Sequence, residues 1–235
     1  MSFFDEWSAF WRLFYTNQGY KRVFSEGLKN TLTIAILGLI IGIAIGTLIA
    51  AVKVMPKYKR LPRILNGVCT VYVGFFRGTP IVVQLLLAYY VLFPMMGISL
   101  GSLNTCILIF GLNSAAYVSE IMRAGIQSVD VGQMEAARAL GLGYAPAMIK
   151  IVVPQAVKNI LPTLGNEFIA LVKDTSVVSF VAAVDLYKVF TEIGNVNYEY
   201  LAPYLMMALI YIALVLMITL LVKLLEQLLH RGDRA

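Results

Sequence analysis

From Thr31 to Val52 the chain carries no charged side chain. Roughly 20 apolar residues in a helix are enough to cross the hydrocarbon of a bilayer, so this segment predicts a membrane span. Gly38, Gly42 and Gly46 fall four apart on one face of it. That spacing either admits a close helical neighbour or reflects how common glycine is in membrane helices.

Further apolar runs follow. Ile64 to Phe93 is too long for one straight span and is interrupted at Arg77-Gly78-Thr79-Pro80. Proline removes a backbone donor and pushes its predecessor away from helix, so the run is expected to kink in the bilayer or to lie partly along its surface. A third run covers Leu103 to Met122. A fourth, Ile160 to Val184, carries Glu167, Lys173 and Asp174, and a fifth covers Tyr204 to Leu225. The expectation is an all-α, polytopic membrane bundle of about five transmembrane helices.

Composition agrees: 60% of residues are apolar and 14% charged, against about 25% charged in soluble domains. Disorder, a disulfide scaffold and a soluble enzyme are excluded on these grounds. Cys69 and Cys106 lie inside apolar runs without metal-ligand neighbours, and read as packing residues. The net charge of +6 is scattered between the runs, which suits loops at an anionic leaflet better than nucleic acid.

Basic residues orient the bundle, because cytoplasmic loops collect Lys and Arg. Lys53, Lys57, Lys59, Arg60 and Arg63 follow the first run, and Arg123, Arg138, Lys150 and Lys158 follow the third. Arg231 and Arg234 end the chain, while Pro94 to Asn104 has no Lys or Arg. This places the N-terminus outside and the C-terminus in the cytoplasm. Residues 1–30 contain Arg12, Lys21, Arg22 and Lys29, which fit the outside poorly. Their aromatic face (Phe3, Phe4, Trp7, Phe10, Trp11, Phe14) reads as an amphipathic interfacial helix, and no cleavable signal is expected. The domain reading is therefore 1–30 interfacial, 31–229 transmembrane with a cytoplasmic segment at about 130–158, and 230–235 a cytoplasmic tail.

The cytoplasmic segment is the most specific part. Glu135-Ala136-Ala137-Arg138-Ala139-Leu140 favours a helix, with an acid near its start, and Gly141 and Gly143 stop it. So short a helix is marginal alone and needs a surface to dock on. With Gly141, Ile151 and Pro154 it resembles the E-A-A-x3-G-x9-I-x-L-P signature of the membrane subunits of ABC importers, Val153 standing in place of the leucine. Arg77 to Pro80, Asn113 to Val118, Arg123 to Ile126, Gly165 to Phe168 and Lys173 to Ser176 resemble the branch that carries polar amino acids.

The resemblance implies a type I importer fold and a transmembrane subunit of the bacterial cytoplasmic membrane. It also implies a separate ATPase subunit using ATP and Mg, a second permease subunit, identical or related, and an external amino-acid-binding protein or domain. Glu135, Ala136, Ala137, Arg138, Leu140, Gly141, Leu142 and Gly143 would form the coupling helix, with Glu135 orienting or capping it and Gly141 letting the chain turn. The chain has no G-x-x-x-x-G-K-[ST] loop, so no nucleotide or metal cofactor is expected in it.

Charges inside a span need a partner or a watery path. Glu167 and Asp174 are seven apart, on one helical face, with Asn166 and Thr163 nearby. Glu167 could accept an ammonium or a cationic side chain, or could bridge to Arg77 or Lys158. Lys173 and Asp174 could form an ion pair or a gate. Arg77, with Gly78 and Thr79 at the break, could hold a carboxylate or reach for headgroups. Asn113, Ser114 and Tyr117 serve substrate contact or helix–helix hydrogen bonding equally well. Two other functions use the same residues: a secondary transporter relaying protons through Glu167 and Asp174, and a membrane scaffold presenting the Glu135 helix.

Overall fold

The computed structural model describes residues 3–16, 19–56, 58 and 60–230. Lys57, Lys59, Arg231, Arg234 and the rest of the tail beyond His230 lie outside the described residues, as does the side chain of Phe3. Among the described residues the chain is helical throughout, without strands. The long helices are α1 (Phe3–Thr16), α2 (Val23–Val54), α3 (Arg60–Gly78), α4 (Ile81–Met95), α5 (Ser102–Gln127), α6 (Val131–Ala139), α7 (Val153–Asp174), α8 (Leu186–Asn197) and α9 (Leu201–His230).

Three of them, α2, α5 and α9, are long and apolar enough to cross a membrane, and the bent pair α3–α4 makes up to four. Of about five expected runs, three or up to four thus qualify by length and apolarity alone among the described residues. The fourth sequence run is a helix, but it begins at Val153 and ends at Asp174, where a 3-10 turn (Thr175–Val181) takes over. Its polar face keeps it from qualifying as an apolar span. The first span also starts earlier than expected, at Val23 rather than Thr31.

The glycines of α2 are packing devices. Gly38, Gly42 and Gly46 are all buried. A Cβ on Gly42 would lie 2.6 Å from Ser114 Oγ, and one on Gly46 would lie 2.9 Å from the Ala115 carbonyl oxygen. Removing those side chains lets the α2 and α5 backbones meet, which is how small residues drive helix association where lipid removes the hydrophobic incentive. Gly125 does the same further along α5, since its Cβ would run into Ile160 of α7.

At Gly78–Pro80 the chain turns by 105° between α3 and α4. Pro80 sits in the extended region ahead of α4, as its ring requires of a residue that cannot continue the preceding helix. The kink expected from the sequence is thus a sharp corner. Cys69 and Cys106 are free thiols, Cys106 fully buried.

Helix α1 departs from a simple interfacial helix. Phe10 and Phe14 are buried in the main protein core, Trp7 and Trp11 pack partly against it, and Phe4 and Tyr15 face outward. The aromatic stripe is therefore shared between protein and exterior. Arg22, just before α2, pairs with Glu192 of α8 at 2.8 Å, which ties this end of the chain to α8.

Candidate functional site

Two places in the fold hold the residues singled out in the sequence. The first is a cavity of about 320 Å³ lined by Thr79, Pro80, Ile81, Asn113, Tyr117, Glu167, Ala170, Leu171 and Asp174. Three separate stretches of chain build it: the α3–α4 corner, the middle of α5 and the C-terminal half of α7. Of the expected path residues, Thr79, Asn113, Tyr117, Glu167 and Asp174 are brought together on its wall. Arg77 stands beside it, its guanidinium 5.4 Å from the centre of the Tyr117 ring, in cation–π range. Ser114 lies behind the wall, fully buried, and donates to Glu167 Oε1 at 2.9 Å. Asn166 and Gly78 are exposed and do not line the cavity.

Glu167 therefore takes its hydrogen bond from Ser114, while Arg77 lies over Tyr117. Ser114 is held in place by Gly42, whose bare backbone is what its hydroxyl packs on. The glycine stripe and the carboxylate are parts of one arrangement.

Behind the corner lies a residue that the sequence reading passed over. Gln84 is buried, and its Nε2 donates to the Phe76 carbonyl at 2.9 Å, the Thr79 carbonyl at 3.0 Å and Thr79 Oγ1 at 2.8 Å. Asn113 Nδ2 in turn donates to Gln84 Oε1 at 3.0 Å and to the Phe76 carbonyl at 3.3 Å. The corner strands carbonyls at the end of α3, and Gln84 satisfies them from the next helix. The available signal was its position, a single amide in the otherwise apolar Ile81 to Phe93 run, where polar groups need partners.

The second place is the segment after α5. Helix α6 runs Val131–Ala139, and its cap is Asp130, whose carboxylate accepts from the Gly132 amide at 2.6 Å. This corrects the capping role expected of Glu135. That residue sits mid-helix, exposed, with no partner among the described residues. Gly141 adopts φ +88, and the Leu142 amide donates to the Ala137 carbonyl at 3.1 Å. This is a glycine-terminated Schellman closure, so the turn expected at Gly141 is present. Gly143 then begins the short helix Tyr144–Ala147. Ala137 is buried, whereas Glu135, Ala136, Arg138 and Gly143 are exposed and Leu140 is 85% exposed. A separate apolar cluster of Val129, Val152, Ala156 and Ile160 fixes this segment to the start of α7. Hydrogen bonds from Gln155 to Gln133 at 3.2 Å and from Asn159 to Ser128 at 2.9 Å assist it.

At the same end of α5, Glu120 accepts from Lys53 of α2 and from Arg123, the latter at 2.7 Å. Lys53 and Arg123 are thus engaged by one acid.

Residues 38–231 match the profile of a family described as the inner membrane component of binding-protein-dependent transport systems. The chain belongs to that family. Curated relatives of this inner membrane component include the arginine transport system permease protein ArtQ of Bacillus subtilis (strain 168), 38% identical over 88% of this chain and 93% of the relative. The putative glutamine transport system permease protein GlnP of Rickettsia bellii is 37% identical over 86% of this chain and 90% of its own. Among solved structures, an amino acid ABC transporter crystallised with histidines superposes with a TM-score of 0.82 at 39% identity, covering 91% of this chain and 97% of that one. The MetNI methionine transporter in an inward-facing form gives 0.74 at 19% identity, over 86% of this chain and 94% of that one, and speaks for the fold alone. The expected all-α permease architecture and membrane location are those of the family.

Proposed function

We propose that this inner membrane component moves polar amino acids through the cavity between the α3–α4 corner, α5 and α7, driven by an ATPase on a separate polypeptide. The observation that carries this reading is that one helix serves both places. Its first turns, Gln155 to Ile160, pack on the α6 segment, and its last turns bring Glu167 and Asp174 to the cavity. At 1.5 Å per residue the two ends are about 30 Å apart, so a displacement of α6 is handed to the cavity wall through a packed rod. That is the type of amplification expected of rigid-body switching.

On this reading Glu135, Ala136, Arg138, Leu140 and Leu142 form the surface seated on the ATPase, and Ala137, Gly141 and Gly143 shape it. ATP and Mg belong to that partner, and hydrolysis occurs there. A second permease subunit, identical or related, completes the pathway, and an external amino-acid-binding protein delivers the ligand. Within the cavity Glu167 and Asp174 take the ammonium group, Arg77 at the rim takes the carboxylate, and Tyr117, Asn113 and Thr79 shape the wall. On this reading the N-terminus lies outside and the α6 segment in the cytoplasm, which the distribution of basic residues supports. The amino acid substrate is supported by the names of the relatives, and the acidic wall by the cavity itself.

The test is ATP-dependent uptake of labelled amino acids by the purified complex in liposomes. Glu167→Gln is expected to raise KM about 10-fold, the loss of one charge-assisted contact, with basal ATPase activity intact. Glu135→Ala is expected to lower uptake and ligand-stimulated hydrolysis together. Uptake that persists without ATP and follows an imposed proton gradient would overturn the reading.

A further inference from the structure

The amide network behind the cavity has only one consistent orientation. Gln84 faces the carbonyl oxygens of Phe76 and Thr79, and a carbonyl can only accept. The Gln84 NH2 must therefore point at them. Thr79 Oγ1 donates its own hydrogen to the Phe75 carbonyl at 2.8 Å, so it too receives from Gln84. This leaves Gln84 Oε1 turned toward Asn113, which must answer with its NH2, and that same NH2 also meets the Phe76 carbonyl. With its donors committed, Oδ1 is the polar atom that Asn113 can offer the cavity it lines. A chain of hydrogen bonds, anchored on backbone that cannot reverse polarity, thus decides how a wall residue is presented.

The other wall groups share that polarity. Glu167 uses Oε1 on Ser114, which leaves Oε2, and Asp174 contributes a carboxylate without a hydrogen-bond or ion-pair partner among the described residues. Among the lining side chains only the Tyr117 hydroxyl is able to donate, since Thr79 is committed. Arg77 is directed at the Tyr117 ring.

Resting on the cavity reading above, we propose that Gln84 is a specificity-determining positioning residue: by locking the Asn113 amide it keeps the cavity wall acceptor-lined, selecting ligands with a cationic, donor-rich side chain over neutral isosteres. Gln84 touches no ligand. It acts through Asn113: its removal leaves the Asn113 amide only the longer bond to the Phe76 carbonyl at 3.3 Å, so that one N–H can turn toward the ligand.

L-arginine and L-citrulline are a matched probe pair, nearly equal in shape but differing in side-chain charge and in one NH2 group, which citrulline replaces with an oxygen acceptor. Their equilibrium binding is measured on the permease–ATPase complex in nanodiscs, without the external binding protein, so that receptor selectivity does not enter. Wild type is expected to bind arginine at least about 10-fold tighter than citrulline, the scale of one charged hydrogen bond. Gln84→Met and Asn113→Leu should each remove most of that ratio, chiefly by weakening arginine. A monodisperse Gln84→Met complex that keeps the wild-type ratio overturns the proposal, as does a wild type that does not discriminate. If Gln84→Met fails to assemble, Asn113→Leu alone decides, by the same ratio. Ala170→Trp, which fills the cavity, separates the two levels. Arginine binding that survives both Ala170→Trp and Glu167→Gln removes the cavity reading itself. Binding lost there, with an unchanged ratio in Gln84→Met, removes only the role of Gln84.

Discussion

The α6 segment and the cavity are built on opposite plans. The segment is closed by neighbours in sequence: Asp130 caps its start, Gly141 ends it, and the Leu142 amide returns to Ala137. Its outer surface is left uncommitted, with Glu135, Arg138 and Leu140 exposed. The cavity is closed by residues far apart in sequence. Ser114 reaches Glu167, Asn113 reaches Gln84, and Gly42 supports Ser114 from a third helix. A short surface helix closed by its own ends can form locally, whereas a cavity in a bundle exists only once the helices have packed.

That contrast can be broken most severely at Gly42. A leucine there would drive a Cβ to 2.6 Å from Ser114 Oγ and would force α2 from α5. Overpacking of this kind costs about 1–3 kcal/mol or more. Gly42→Leu is expected to lose both uptake and monodisperse behaviour on gel filtration. A well-assembled, active Gly42→Leu complex would show that the cavity does not depend on the glycine stripe.

Gly141→Val probes the other plan. A β-branched residue at φ +88 is strained by about 1–3 kcal/mol, and the Schellman turn should open. Ligand binding by the cavity should be unchanged while ligand-stimulated ATPase activity falls at least about 10-fold. Equal losses in both would mean that the two regions are less separable than their hydrogen bonds indicate.

Asp130→Ala sharpens the same point with a smaller effect. Loss of the cap is worth about 1 kcal/mol, so amide hydrogen exchange in Val131–Ala139 should accelerate about 5-fold, with exchange at the cavity untouched.

The smallest effect is expected at a site belonging to neither region. Asp185 is fully buried at the start of α8, accepting from the Lys188 amide at 2.9 Å and the Tyr187 amide at 3.2 Å, and burial pushes its carboxyl up to about 6. An acid whose native pKa lies above its unfolded value binds more protons when folded. Its contribution to stability therefore grows as pH falls through about 6 toward about 4 and is flat below. Melting temperatures between about pH 7.5 and pH 5 should include this gain in wild type, and Asp185→Asn should remove it by a few degrees. An identical pH dependence in both proteins would mean that this carboxyl titrates normally.

Legibility followed the same division. The α6 segment could be read almost completely from sequence, because its signals are contiguous and local: helix formers, a glycine that needs positive φ, and a fixed spacing to Pro154. The one error, assigning the cap to Glu135 instead of Asp130, concerned a helix boundary. The path residues were named from isolated short motifs, and five of them do meet on one wall. Gln84 was missed because nothing local distinguishes a buried amide that braces a corner from any other polar residue in a span. Asn166 was included because it neighbours Glu167, although one residue is about 100° around a helix, and it is exposed instead.

By itself the sequence determined that the chain is a helical membrane protein, where its helices break, and which short surface helix projects from it. Hydrophobic length, proline and glycine act within a few residues, so they are written locally. Tertiary structure alone decided that α1 buries Phe10 and Phe14 in the core, and that Gly42, Ser114 and Glu167 form one stack. Those outcomes depend on which helices approach closely enough to exclude a side chain or share a hydrogen bond.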